Sequence, residues 1–365
     1  MYFSLMPKKK RENLYNRERE FEELEKSFES GRQILLTGIR RIGKTSLLQA
    51  FLNELSERKI PNIFIDCRSF EKAGSFDKNG FNSRFKALLD KILSKNLQIL
   101  KKISKISLYG IEFKFNSDVN RFDLFAYLDM VNELMDRKGT KLVIALDEAQ
   151  FLRFYGRGGK EILNLLAHVY DHLENMIFIL TGSEIGVLYD FIGSENPESP
   201  LYGRYINQIT LERFPKEKSI DFLVKGFEQV GIKPKSEYIE KAVESLDGIV
   251  GYLSMYGYIV QTTNEWQKSL EEAEKMAFKI VKKELNSLKN RSENYMHVLK
   301  AIAFGAETFS QIKKYIEIHY GNISDQTLSN NLNALVNSSF LEVEYVQAKK
   351  LYRIPDPVIK KVLIS

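Results

Sequence analysis

Four unbroken apolar runs of strand length, Gln33–Thr37, Asn62–Asp66, Lys141–Asp147 and Met176–Thr181, alternate with stretches whose apolar positions recur at helical spacing. Those stretches cover Lys44–Arg58, Phe81–Ser94, Phe122–Arg137 and Gly159–Leu173. Continuous apolar strands are buried on both faces, so the pattern predicts an α/β fold with a parallel sheet between two layers of helices. Residues 97–120 break the rhythm, and the period-two alternation over Ile106–Phe115 predicts a small inserted hairpin. After Pro215 the strand pattern stops, and 216–230, 236–247 and 252–289 read as helices, the last as one or two. Three short amphipathic helices follow, Asn294–Gly305, Phe309–His319 and Ser324–Ser338. Two strand-like runs, Phe340–Val346 and Leu351–Pro355, come after them, separated by Gln347–Lys350. Three helices then a hairpin is the order of a winged helix. The expected division is a core over 1–214, a helical lid over 215–290 and a winged-helix domain over 291–365.

Composition narrows the classes. The chain has 365 residues, 44% of them hydrophobic and 28% charged, as in a well-packed protein. A formal net charge of +6 permits an acidic partner without requiring one. The single cysteine, Cys67, excludes an internal disulfide framework and a cysteine-based zinc site, and four histidines leave little for a metal cluster. A reduced, cytoplasmic protein is expected. Met1–Pro7 is too short for a signal-peptide apolar core, and the basic run Lys8–Arg11 follows it instead of preceding it. The longest uncharged stretch, Gly248–Asn264, contains three glycines and falls short of the roughly 20 apolar residues that span a bilayer.

The chemistry begins at Gly38-Ile39-Arg40-Arg41-Ile42-Gly43-Lys44-Thr45, a full G-x-x-x-x-G-K-[ST] motif between a strand and an amphipathic helix. Its glycines let successive N–H groups face phosphate oxygens, and the helix N-terminus that carries Thr45 and Ser46 adds partial positive charge. Lys44 is expected on the β- and γ-phosphates, and Thr45 on Mg²⁺. Leu142–Glu148 is an apolar strand ending in two carboxylates. Asp147 there suits Mg²⁺, and Glu148 suits activation of a water. Phe178–Glu184 is a further apolar strand with small polar residues at its tip, where Ser183, and less so Thr181, could sense a γ-phosphate. Arg204, in Ser199–Arg204, could stabilise transition-state charge in its own chain or in a neighbour, or serve only as a surface ion pair.

With these elements in order, the chain resembles the archaeal-type ATPases of the AAA+/STAND group of P-loop ATPases. Tyr15–Leu24 looks like that family's opening F-x-x-R-E-x-E-x-x-x-L motif, Pro200–Arg204 like its P-L-Y-G-R stretch, and Leu246–Leu253 like its G-G-x-P-x-Y-L lid motif. The resemblance implies a five-stranded core of order 5-1-4-3-2, a lid and a C-terminal winged helix. It also implies that Asn16 and Arg17 lie near the adenine and that Arg204 is an arginine finger or sensor. Two positions depart from the pattern: Asp247 replaces a lid glycine and Val250 a proline, which puts the lid's contact with nucleotide in question. Arg40 and Arg41 in the phosphate loop either touch phosphate or point to solvent.

For the winged helix, the third helix would start at Ser324-Asp325 and expose Gln326, Thr327, Ser329, Asn330 and Asn333 to base edges, with Lys349, Lys350 and Arg353 near the backbone of duplex DNA. From Arg291 to Ser365, however, nine basic residues face seven acidic ones, a small excess for a DNA binder. A protein partner, a second copy of the chain, or packing against the lid are the other readings. The function expected is Mg²⁺-dependent ATP binding and hydrolysis that drives or gates a conformational change, altering the binding of DNA or protein. The alternative is a nucleotide-gated switch or DNA-binding regulator with little or no turnover.

Overall fold

The computed structural model describes residues 1–72, 75–94 and 123–365. The inserted hairpin expected over 97–120 lies outside these residues. Five parallel strands form the central sheet: β1 (Ile34–Thr37), β2 (Asn62–Asp66), β5 (Leu142–Asp147), β6 (Met176–Gly182) and β7 (Asn207–Thr210). Between β2 and β5 lie two two-residue strands, β3 (Glu71–Lys72) and β4 (Ser75–Phe76), paired with each other. The order β2-β5-β6-β1-β7 is the 5-1-4-3-2 arrangement when the five core strands are numbered along the chain.

Alternation within each strand divides the apolar residues between two layers. Leu35, Ile144, Leu146, Phe178 and Leu180 face a cluster supplied by α3 (Lys78–Ser94), α4 (Leu124–Arg137), α5 (Lys160–His172) and α6 (Ile185–Ile192). Ile34, Leu36, Val143, Ala145, Ile177 and Ile179 face α1 (Glu18–Glu29) and α2 (Lys44–Glu57). The short strand β7 carried no apolar run, because only Ile209 of its four residues is buried.

The lid consists of α7 (Lys216–Gln229), α8 (Ser236–Leu246), α9 (Val250–Thr263) and α10 (Trp266–Arg291). The expected helical stretch 252–289 is thus two helices, broken at Asn264, which takes a left-handed φ of 56°. Ser292 caps the next helix by accepting from Asn294 N. The winged helix contains α11 (Glu293–Ala303), α12 (Phe309–Tyr320), α13 (Asp325–Asn337), β8 (Glu342–Val346), β9 (Lys349–Arg353) and an unexpected closing helix, α14 (Pro357–Ile364). Thr308 and Gln311 form a capping box on α12, and Ser324 caps α13. The wing turns on Gln347 and Ala348, both at positive φ. Among the described residues no helix is long and apolar enough to cross a membrane.

Lid and winged helix share one core. Leu253, Val281, Leu285 and Leu288 of the lid are continuous with Leu299, Leu328, Leu335 and Leu363 of the winged helix in a single buried cluster.

Candidate nucleotide site

The carboxyl ends of β1, β5 and β6 open onto a cavity of ≈ 660 Å³, roofed by the lid. Crevices beyond the carboxyl ends of parallel strands are where such folds take ligands. The phosphate loop curls because Gly38 and Gly43 adopt φ of 144° and 101°. A Cβ on Gly38 would sit 2.7 Å from the Leu211 carbonyl oxygen. Gly43 leads directly into α2, so the amides of that helix's first turn point into the cavity.

Lys44 is only 5% exposed, and its Nζ donates to the carbonyls of Gly38 at 2.6 Å and Ile39 at 2.9 Å. Burial depresses its pKa to about 8, against the raising influence of Glu148 and Asp147. Thr45 Oγ1 donates to Asp147 Oδ2 at 2.9 Å, and Thr181 donates to Asp147 Oδ1. Burial, with the charges of Glu148 and Asp66, raises the Asp147 pKa against those two hydrogen bonds. The hydroxyl and carboxylate of Thr45 and Asp147 are hard oxygen donors at the mouth of the phosphate loop, a set that fits Mg²⁺ completed by phosphate and water. Among the described residues no group of three or more His, Cys, Asp or Glu could hold a metal by side chains alone.

Glu148 sits in the left-handed region, at φ 53° and ψ 47°. Its amide donates to Thr181 Oγ1 at 3.2 Å, while its Oε2 accepts from Gln150 at 2.6 Å and Ser183 Oγ at 2.8 Å. Burial would raise its pKa, but Lys44, the bonds from Gln150 and Ser183, and Arg68 bring it below the usual value. Glu148 is therefore an ionised, aimed carboxylate. Ser183 touches this carboxylate, and Thr181 ties Asp147 and Glu148 together. The sequence pattern did not single out Gln150, because an amide two residues past a strand end carries no periodic signal.

The other expected residues fare differently. Ile42 is buried, and its carbonyl accepts from Arg17. Arg17 lines the cavity, yet its guanidinium is consumed by Glu20 at 3.0 Å and by the carbonyls of Ile42 and Glu212. Asn16, at φ 52°, is not among the cavity's lining residues. Ser46 lines the cavity, and its hydroxyl accepts from Lys8 N at 3.1 Å. Arg204 lies before β7, at the amino-terminal edge of the sheet, in a two-point pair with Asp171 at 2.9 and 2.6 Å. The fold therefore does not bring it to the phosphate loop of its own chain. Arg40 and Arg41 neither point freely to solvent nor stand clear of the protein: Arg40 pairs with Glu184 at 2.8 Å, and Arg41 with Glu284 at 2.6 Å.

The lid's two departures differ in cost. Asp247 takes φ 52° and ψ −159°, a region essentially reserved for glycine, so it is held there against backbone strain, and it accepts from Arg213 at 2.7 Å. Val250 is the first residue of α9, where proline is favoured but not needed. Gly251 N donates to Arg41 O at 3.0 Å, so the lid rests on the phosphate loop. The cavity is also lined by Ser4, Leu5, Met6, Pro7 and Lys8. Burial lowers the Lys8 pKa to about 8. The sequence pattern does not mark this segment as part of a site, since its place at the cavity follows from Phe3 burying itself in the lid.

Residues 14–256 match the family model of the ATPase domain found predominantly in Archaea. The chain belongs to that family. Residues 289–354 of this archaeal-type ATPase also match the C-terminal winged helix-turn-helix domain of MCM proteins. A Walker-type ATPase of Pyrococcus abyssi is similar over 100% of both chains, with 36% identity and a TM-score of 0.86. The ORC2 protein of Aeropyrum pernix, in its ADPNP–ADP complexes, is similar in fold, with a TM-score of 0.61 at 14% identity over 96% of this chain and 93% of that one. No curated protein matches the chain by sequence. Like its family, this chain is an ATPase with a P-loop core and a C-terminal winged helix.

Proposed function

We infer that the protein hydrolyses ATP with Mg²⁺ and uses the bound nucleotide to set the position of its lid and winged helix. The reading is carried by one juxtaposition: the Thr45–Asp147 hydrogen bond at 2.9 Å beside the ionised Glu148, at the mouth of the phosphate loop. In this reading the amides of Gly38–Thr45 cradle the phosphates and Lys44 exchanges its carbonyl partners for β- and γ-phosphate oxygens. Thr45 and Asp147 would hold Mg²⁺, which supplies charge neutralisation at the transferred phosphoryl group. Glu148 accepts a proton from the attacking water, and Ser183 and Gln150 hold its carboxylate in place. Arg204 remains a candidate only toward a neighbouring copy. In this reading the chain works as a core (1–214), a lid (215–290) and a winged helix (291–365).

For the partner, a protein is favoured over duplex DNA by two contacts. Arg353 is paired with Glu344 at 3.0 Å, and the end of α13 rests on the core, where Asn337 bonds to Asp190. Gln326, Asn330, Lys349 and Lys350 are exposed and keep a DNA contact open to test. A switch with little turnover is the second reading, favoured by the lid lying directly on Arg41 O, which would slow nucleotide exchange.

The deciding experiment is steady-state phosphate release from MgATP by wild type and Glu148→Gln, with and without duplex DNA. Turnover that needs Glu148 supports hydrolysis, and acceleration by DNA would reverse the preference for a protein partner. Tightly held nucleotide without turnover supports the switch.

A further inference from the structure

The two phosphate-loop arginines hold the winged helix down. Arg41 is an anchor: besides Glu284 it meets Tyr252 Oη at 3.1 Å and lies 3.8 Å from Asp356, the residue that caps α14. Arg40 is placed differently. Its guanidinium bridges Glu184 of the core and Glu284 of the lid, at 2.8 and 3.8 Å, and lies 5.3 Å over the ring of Phe340, at the start of the wing. It also lines the cavity next to Glu148 and Ser183, and its charge reaches Lys44.

Both acids that hold Arg40 have a second cation. Glu184 keeps Arg153 at 3.7 Å, and Glu284 keeps Arg41 at 2.6 Å. Arg40 can leave without stranding a buried charge, which would otherwise be costly. A triphosphate in the cavity offers it stronger, charge-assisted acceptors.

Beyond Arg40 the contact with α6 is slight, while Arg213, next to the lid, separately donates to Pro355 O at 2.9 Å and lies 3.9 Å from Glu342. Ile185 N donates to Ser339 Oγ at 3.0 Å, Asn337 bonds to Asp190, and Gly186 lies so close under Asn337 that a Cβ would fall 2.4 Å from its Cα. By contrast, lid and winged helix share a core.

We propose that Arg40 is a phosphate-responsive latch: without a γ-phosphate it clamps Phe340 and Glu284 to Glu184, and a γ-phosphate draws it away and undocks the winged helix from α6. The C-terminal end of α13, covered in the docked form, then becomes free for a partner. This rests on the nucleotide reading above and adds the route by which the phosphate reaches the last domain.

The test places fluorophores on engineered cysteines at Tyr202 in the core and Lys349 in the wing. Cys67, fully buried, does not compete for the labels. Energy transfer is measured without nucleotide, with ADP and with a non-hydrolysable ATP analogue plus Mg²⁺, while affinity is measured separately with a fluorescent nucleotide. The analogue, but not ADP, is expected to raise the undocked-to-docked ratio by about fivefold or more. Arg40→Ala should abolish the ADP–analogue difference while nucleotide still binds. Gly186→Ala, outside the cavity, should undock the domain with any nucleotide. Equal transfer with bound ADP and bound analogue in wild type, or an undiminished difference in Arg40→Ala, overturns the latch alone. Absence of nucleotide binding in wild type overturns the nucleotide reading and the latch with it.

Discussion

Glu148 and Lys44 show how environment, more than residue type, sets chemistry at the site. Glu148 is held ionised by Lys44, Gln150 and Ser183 despite its burial, so Glu148→Gln should keep nucleotide affinity and lower the rate of phosphate release by about 10²–10⁴-fold, the usual worth of a positioned base. Lys44 behaves oppositely, since burial brings its pKa in the free protein to about 8. Bound phosphate favours the charged amine, so binding takes up a proton once the free lysine has lost it. Nucleotide affinity should be level below pH 8 and fall toward tenfold per pH unit above it, as read by fluorescent-nucleotide titration from pH 6.5 to 9.5. Lys8 borders the same cavity and also titrates at about 8, so the same titration on Lys8→Gln separates its share from that of Lys44.

At the scale of elements, the contact between lid and core turns on single atoms. Gly248 O accepts from Phe214 N at 3.0 Å, and a Cβ on Gly248 would fall 1.9 Å from the Phe214 carbonyl oxygen. Backbone cannot yield as a flexible side chain can, so Gly248→Ala should destabilise the protein by about 1–3 kcal/mol through overpacking. Urea unfolding followed by circular dichroism checks this, and an unchanged midpoint would mean that the lid hinge is looser than described. The elements themselves were legible where their apolar pattern was long. The strands β1, β2, β5 and β6, the helix α2 behind the phosphate loop and the Ser324 cap of α13 stand within a residue or two of their expected bounds. The strand β7 was not, because only one of its four residues is buried and apolar, and α14 was not, because eight residues opening on a proline show too little periodicity.

On the scale of the whole molecule, lid and winged helix are joined by a common core. Leu285 and Leu288, 3% and 4% exposed, pack into a cluster completed by the winged helix. A chain ending at residue 290 should therefore expose that seam. It is expected to bind an apolar dye and to melt several degrees below the full chain, whereas an unaltered melting temperature would show that the lid closes its own core.

The residues alone determined the class of the fold and pointed to the residues of the candidate site. A glycine-cornered loop between strand and helix, and a buried strand ending in two acids, are local patterns whose meaning depends on spacing along the chain. Asp147, Glu148, Lys44 and Thr45 could be read that way. What Arg40, Arg41 and Arg204 do could not, because a guanidinium on a long, flexible side chain takes its role from whichever acid the fold sets beside it. Glu184, Glu284 and Asp356 lie up to hundreds of residues from the phosphate loop, and Asp171 holds Arg204 at the far edge of the sheet. Those encounters come from the order of the strands and from the lid folding back over β1. Only the tertiary structure decided that the phosphate loop also holds the last domain.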